Sequence, residues 1–210
     1  RALAAPFGVW YGIKYAEQPI GKLRFSSVQW PSAFNGTRDA KSDRKFCIQY
    51  VKTESVYGED CLNLNVYRPS VVSPDKKLPV LVWIHGIGSV SQWRWHNVPP
   101  SFVCHSLTRA SYGCDHQLQN DAFSALGIDN LGLQNQHQLL CFVHIYVSSF
   151  SGDPERINLT GKSAGAYSIG FHYQKPHPSP SHFHYAIFQS GSPTGRSLPV
   201  TSDPFIVTQF

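Results

Sequence analysis

No apolar run in these 210 residues approaches the roughly 18 needed to cross a membrane as a helix, so the sequence carries no transmembrane segment. No cluster of basic residues exceeds Lys76-Lys77, although Lys and Arg number 18 against 13 Asp and Glu. A net charge of +5 spread singly over the chain lacks the clustered footprint of a nucleic-acid-binding surface, and nucleic acid is excluded as a partner. There is no internal repeat, no low-complexity tract and no Gly/Ser linker, so residues 1–210 read as one structural unit. The chain opens at Arg1 without the apolar core of a signal segment, which reads as a processed or incomplete start.

What is present is a globular composition, 41% apolar and 13% aromatic, with enough length for a sizeable core. The five cysteines are Cys47, Cys61, Cys104, Cys114 and Cys141, an odd number. The sequons Asn35-Gly36-Thr37 and Asn158-Leu159-Thr160 make Asn35 and Asn158 candidate glycosylation sites, and with the cysteines they lean towards an extracellular protein. Cys47 and Cys61 bracket a short polar segment. They are either two thiols or a bridge worth about 3 kcal/mol on the chain-entropy model.

The pattern along the chain predicts an α/β architecture. "GVWYGIKYAEQPIG" alternates apolar with small and polar residues between glycines, as antiparallel hairpins do. "CLNLNVYRP" puts Leu62, Leu64 and Val66 on one face and Asn63, Asn65 and Tyr67 on the other, predicting a half-buried strand. Val80 to Ile84 in "LPVLVWIHG" is continuously apolar, as in an inner strand covered on both faces. Residues 89–126 show no clean period, with "SFVCHSL" as a further inner-strand candidate. Between Leu131 and Phe150 the positions of Leu133, Leu139, Leu140, Phe142, Val143, Tyr146 and Val147 fit a helix. A turn at Asp153-Pro154 then leads into a second short strand.

That strand runs into Gly161-Lys162-Ser163-Ala164-Gly165, a G-x-S-x-G pentad followed by small, helix-compatible residues. In five residues the pattern is more often a tight turn than a catalyst. Preceded by a strand and followed by a helix, it matches a nucleophile elbow, where a serine is held on a sharp turn and the helix amides favour developing negative charge. The inner strand supplies the second half of such a site: His85-Gly86-Ile87-Gly88 at its end can offer backbone donors to an oxyanion.

These segments carry a resemblance. "GIKYAEQPIGKLRF", "WPSAFNGTRDA", "EDCLNLNVYRP", "LPVLVWIHGIG", "NLGLQNQ", "SSFSGDPERINLTGKSAGAYSIG" and "HYAIFQSGSP" together resemble the carboxylesterase type B family. These α/β-hydrolases include fungal secreted lipases, liver carboxylesterases and cholinesterases. The resemblance implies the N-terminal part of an α/β-hydrolase fold: a mostly parallel central sheet flanked by helices, with antiparallel hairpins at its start. It implies that Ser163 is the catalytic nucleophile between Gly161 and Gly165, that Ile87, Gly88 and Ala164 form the oxyanion hole, and that Cys47 pairs with Cys61. The implied substrate is a small-molecule or lipid ester, the implied location is extracellular, and no cofactor is called for. Nothing in the sequence sets an oligomeric state.

The same comparison exposes departures. Such hydrolases order their triad as Ser, then acid, then His. After Ser163 the one carboxylate is Asp203, and His172, His177, His182 and His184 all precede it. The family's usual glutamate before the nucleophile is Lys162, the middle glycine of His-Gly-Gly-Gly is Ile87, and Leu-x-Asp-Gln reads Leu133-Gln134-Asn135-Gln136. The expectation is a carboxylic ester hydrolase that is inactive as this chain, with a catalytically dead, cholinesterase-like interaction module as the rival. A metal site from His182 and His184 on one strand face is disfavoured, because neither Cys nor carboxylate stands at ligand spacing.

Overall fold

Among the described residues, β-branched and aromatic runs bounded by glycine, proline and polar turns build a six-stranded sheet. The computed structural model describes residues 7–42, 45–47, 57–73, 75–85, 107–111, 131–174 and 182–194. The strands are β1 (Phe7–Lys14), β2 (Asn63–Pro69), β3 (Leu78–Ile84), β4 (Leu107–Ser111), β5 (Gly152–Lys162) and β6 (Tyr185–Gln189), in spatial order β1-β2-β4-β3-β5-β6. β4, β3, β5 and β6 run parallel, β2 pairs antiparallel with β4, and β1 pairs antiparallel with β2. Helix α1 spans Leu131–Tyr146 and α2 spans Ala164–Gln174.

The core lies between the sheet and the helices. Val80, Val82 and Ile84 of β3 and Ile157 and Leu159 of β5 are fully buried, packed in one cluster with Leu139, Leu140 and Val143 of α1 and Ile169 of α2. β3 is therefore not covered equally on both faces: Leu78, Val80, Val82 and Ile84 are buried, while Pro79, Leu81 and Trp83 are only partly so. In β2 Asn63 and Asn65 of the expected polar face are also buried, with their amides satisfied, while Tyr67 is half-buried. Asn65 Oδ1 accepts the Gly12 N–H at 2.8 Å and the Asn63 side chain donates to the Cys61 carbonyl at 3.0 Å.

Three boundaries differ from the sequence pattern. "GVWYGIKYAEQPIG" forms no hairpin of its own; its first half is β1, paired with the distant β2, and Gly21–Leu23 is a 3₁₀ turn. The strand sought in "SFVCHSL" instead occupies Leu107–Ser111, and residues 101–106 lie outside the described ones. Asp153-Pro154 ends no element, because β5 already begins at Gly152. Leu78 faces Gly152 while Val80 faces Ile157, so the extra residues are absorbed as a bulge within the strand. Asp153 holds it, accepting the Glu155 N–H at 3.1 Å and Arg156 Nε at 2.7 Å, while Arg156 also donates to the Lys77 carbonyl. At the other end, α1 stops at Tyr146, and Val147–Phe150 tightens into a 3₁₀ turn closed by Ser151 in the left-handed region.

Cys47 and Cys61 are disulfide-bonded, with Cα atoms 4.8 Å apart. Beside them Gln18 accepts the Leu62 N–H and donates to the Ala16 and Leu62 carbonyls, tying the chain after β1 to the start of β2. Arg24 pairs with Glu59 at 2.9 Å, and Ser32 bonds hold the Glu17 carboxyl below its ordinary pKa.

Two outcomes follow. Replacing both Cys47 and Cys61 by Ala, whose bond spans a separation of 14 residues, should lower unfolding free energy by about 3 kcal/mol in urea titrations. Asp153 has its pKa lowered, chiefly by Arg156, so its contribution is present above the unfolded carboxyl value of about 3.9 and is lost as pH falls through the folded value. The Tm difference between the native chain and Asp153→Asn should therefore be full at neutral pH and close on acidification; a pH-independent difference would refute the charge-based role.

Candidate active site

The carboxyl ends of β3, β5 and β6 lie side by side, since Ile84 is in register with Gly161, and Gly161 with Phe188. At this edge β5 ends at Lys162 and α2 begins at Ala164, leaving Ser163 as the one residue in which the chain reverses. Its φ is 52°, in the left-handed region that a residue with a Cβ occupies at a cost of about 1–2 kcal/mol. The turn is held from both sides. Ser163 N–H donates to the Gln189 carbonyl at 2.8 Å, and the Ser163 carbonyl accepts the Tyr167 N–H at 3.1 Å, starting the helix.

The flanking glycines serve close approach rather than a special φ. A Cβ on Gly161 would lie 2.6 Å from the carbonyl carbon of Gly165. One on Gly165 would collide with the carbonyl oxygens of Ile84 and His85, at the end of β3. Backbone thus packs on backbone where the Ser163 turn meets the end of β3, which leads in sequence into His85-Gly86-Ile87-Gly88. His85 is placed at that junction; Gly86, Ile87 and Gly88 lie outside the described residues. Ala164, at the first position of α2, presents its amide at the helix N-terminus, where partial positive charge favours an anion.

Ser163 is partly accessible and Lys162 is exposed. A serine at the carboxyl edge of parallel strands, on a left-handed turn beneath a helix N-terminus, is suited to forming an acyl-enzyme and stabilising the oxyanion made in doing so.

The other histidines take different places. His172, on α2, is 3.0 Å from the buried Gln136 Oε1 of α1. His182 and His184 precede β6 and so do not share a strand face. His182 packs instead against His144 and His137 of α1, with ring centroids 4.8 and 6.1 Å away, and Cys141 Sγ lies 3.5 Å from His137 Nε2. Burial pushes the Cys141 thiol up in pKa, away from the reactive thiolate. Among the described residues no group of three or more His, Cys, Asp or Glu is arranged to hold a metal ion. His177 and Asp203 lie outside the described residues.

Sequence reasoning passed over the turn after β6. A Cβ on Gly191 would meet Ala166 Cβ at 2.6 Å and the Ser163 carbonyl at 3.1 Å, so this glycine lets the β6 turn close against the elbow. The only signal was the small-residue run "QSGS" after an apolar strand.

The sheet order, the elbow and the helix behind it define an α/β-hydrolase fold. The carboxylesterase family model matches residues 2–111 and 118–206, and the chain belongs to this family. It is 36% identical to Secreted lipase 4 of Gibberella zeae over 223 aligned residues, covering 100% of this chain and 40% of the lipase. It is 33% identical to acetylcholinesterase of Electrophorus electricus, covering 91% of this chain and 33% of that protein. The crystal structure of a Geobacillus stearothermophilus carboxylesterase superposes with a TM-score of 0.74 at 31% identity, covering 90% of this chain and 40% of that one. The chain thus spans about two-fifths of the length of the lipase, and less of the acetylcholinesterase.

The geometry separates two kinds of substitution. Ser163→Gly should be more stable than Ser163→Ala by about 1 kcal/mol, because only glycine relieves the left-handed turn. Gly165→Ala should cost about 1–3 kcal/mol or more through collision with the rigid β3 carbonyls. Urea unfolding of the three variants checks both; equal stability of the two Ser163 variants would remove strain from the account.

Proposed function

We propose that this chain carries the nucleophile and part of the oxyanion site of an extracellular carboxylic ester hydrolase acting on small-molecule or lipid esters. The observation that carries the reading is Ser163 at φ 52° between β5 and α2, in a chain of the carboxylesterase family. Ser163 Oγ attacks the ester carbonyl, and its proton passes through a base to the departing alkoxide as the carbon–oxygen ester bond breaks. Water then releases the acid and restores the serine. The Ala164 amide stabilises the oxyanion, with Ile87 and Gly88 amides as its partners from the strand-end loop. The disulfide, the two sequons and the likeness to a secreted lipase support the extracellular setting.

The base and its orienting acid are the missing parts, since no acid-then-His order follows Ser163 in these residues. In the longer relatives the matched part is 40% of the lipase and 33% of the acetylcholinesterase, and a segment equivalent to the rest would have to supply them. The exposed Lys162, where the family has glutamate, places a positive charge next to the nucleophile.

The test joins this chain to the part of Secreted lipase 4 beyond its matched segment. The joined protein should hydrolyse p-nitrophenyl butyrate, and Ser163→Ala should abolish that turnover. A folded but inactive chimera would instead favour the dead interaction module. The 210-residue chain alone should turn over well below 1 s⁻¹, the low end of ordinary enzymes. Faster hydrolysis that Ser163→Ala abolishes would mean a base within these residues.

A further inference from the structure

The two N-x-T sequons stand in opposite structural settings. Asn35 lies in a loop whose residues 32–39 are all exposed, and Gly36 beside it takes φ 84°, in the left-handed region that glycine favours. The loop is anchored at both ends: Ser32 N–H donates to Glu17 Oε1 at 2.6 Å, and Tyr11 N–H donates to the Ala40 carbonyl at 2.8 Å. Within it Arg38 stacks over the Phe34 ring at 3.9 Å. The acceptor amide is thus presented to solvent on a formed turn, with Thr37 accessible beside it.

Asn158 sits in β5, flanked by β3 and β6. Its Nδ2 donates to the Val80 carbonyl at 3.2 Å and the Arg156 carbonyl at 3.3 Å, so both amide hydrogens are used within the sheet. The sequon's Leu159 and Thr160 are buried. A sugar on Nδ2 would replace one of those hydrogens and force bulk between neighbouring strands.

We infer that Asn35 is the N-glycosylated position of this protein and that the Asn158 sequon stays unmodified, an inference that rests on the extracellular reading above. In the transfer, Asn35 Nδ2 loses a proton and bonds to C1 of N-acetylglucosamine. The bond from C1 to the diphosphate of a lipid-linked oligosaccharide breaks, and the diphosphate leaves. The glycan covers the exposed turn next to Phe34, away from the Ser163 edge in sequence and in strand order.

The experiment expresses the full chain behind a secretion leader in yeast and compares gel mobility before and after endoglycosidase H, in both medium and microsomes. One glycan should be removed from the native chain and from Asn158→Gln, and none from Asn35→Gln or Thr37→Ala. No shift in the native chain, a shift surviving in Asn35→Gln, or a two-glycan shift would overturn the assignment. Because the readout is mobility, failure of the ester-hydrolase reading leaves it unchanged, and the microsomal sample scores even a chain that is not exported.

Discussion

The contact between bare backbones at Gly161, Gly165 and the end of β3 sets the rest of the site. With no Cβ in the way, α2 starts one residue after β5 ends, and the chain has a single residue in which to reverse. That residue must take a left-handed conformation, and it is Ser163 rather than a glycine. A serine there costs folding energy that glycine would not, so strain is stored at this turn. The same close approach brings the start of α2 against the carbonyls of Ile84 and His85, so the helix amides and the end of β3 share one edge of the sheet.

Around this turn, buried polar groups set register where apolar packing alone would tolerate slippage. Gln18 satisfies three backbone groups between the β1 extension and β2, and Asn65 meets the Gly12 N–H at an irregularity in the β1–β2 ladder. These bonds sit beside the Cys47–Cys61 bridge, so the antiparallel end of the sheet is cross-linked both covalently and by hydrogen bonds. The parallel end relies on aliphatic burial under α1 and α2.

The departures from the family pattern fall in different physical settings. Asn135, in place of the family's aspartate, is buried, and a neutral amide is easier to bury there than a carboxylate. Lys162 is exposed, where a charge change costs little folding energy and bears instead on the field next to Ser163. The close backbone contacts of Gly161 and Gly165 are present alongside both residues.

The sequence by itself determined the elements whose signal is local. Alternation and apolar runs located β2, β3 and β5, helical spacing located α1 almost to its end, and the glycine-flanked Ser163 was legible because a sharp strand-to-helix turn needs small residues at fixed offsets. The tertiary structure alone decided what depends on distant partners. β1 pairs with a strand some fifty residues on rather than with its neighbour, the Asn face of β2 is buried because Gly12 and Cys61 supply bonding partners, and Asp153-Pro154 bulges within β5 instead of ending it. His182 meets His137 and His144 only because α1 packs beside the approach to β6. Periodicity reports which face of an element is apolar, whereas pairing, burial of polar groups and the meeting of side chains depend on which other elements close over that face.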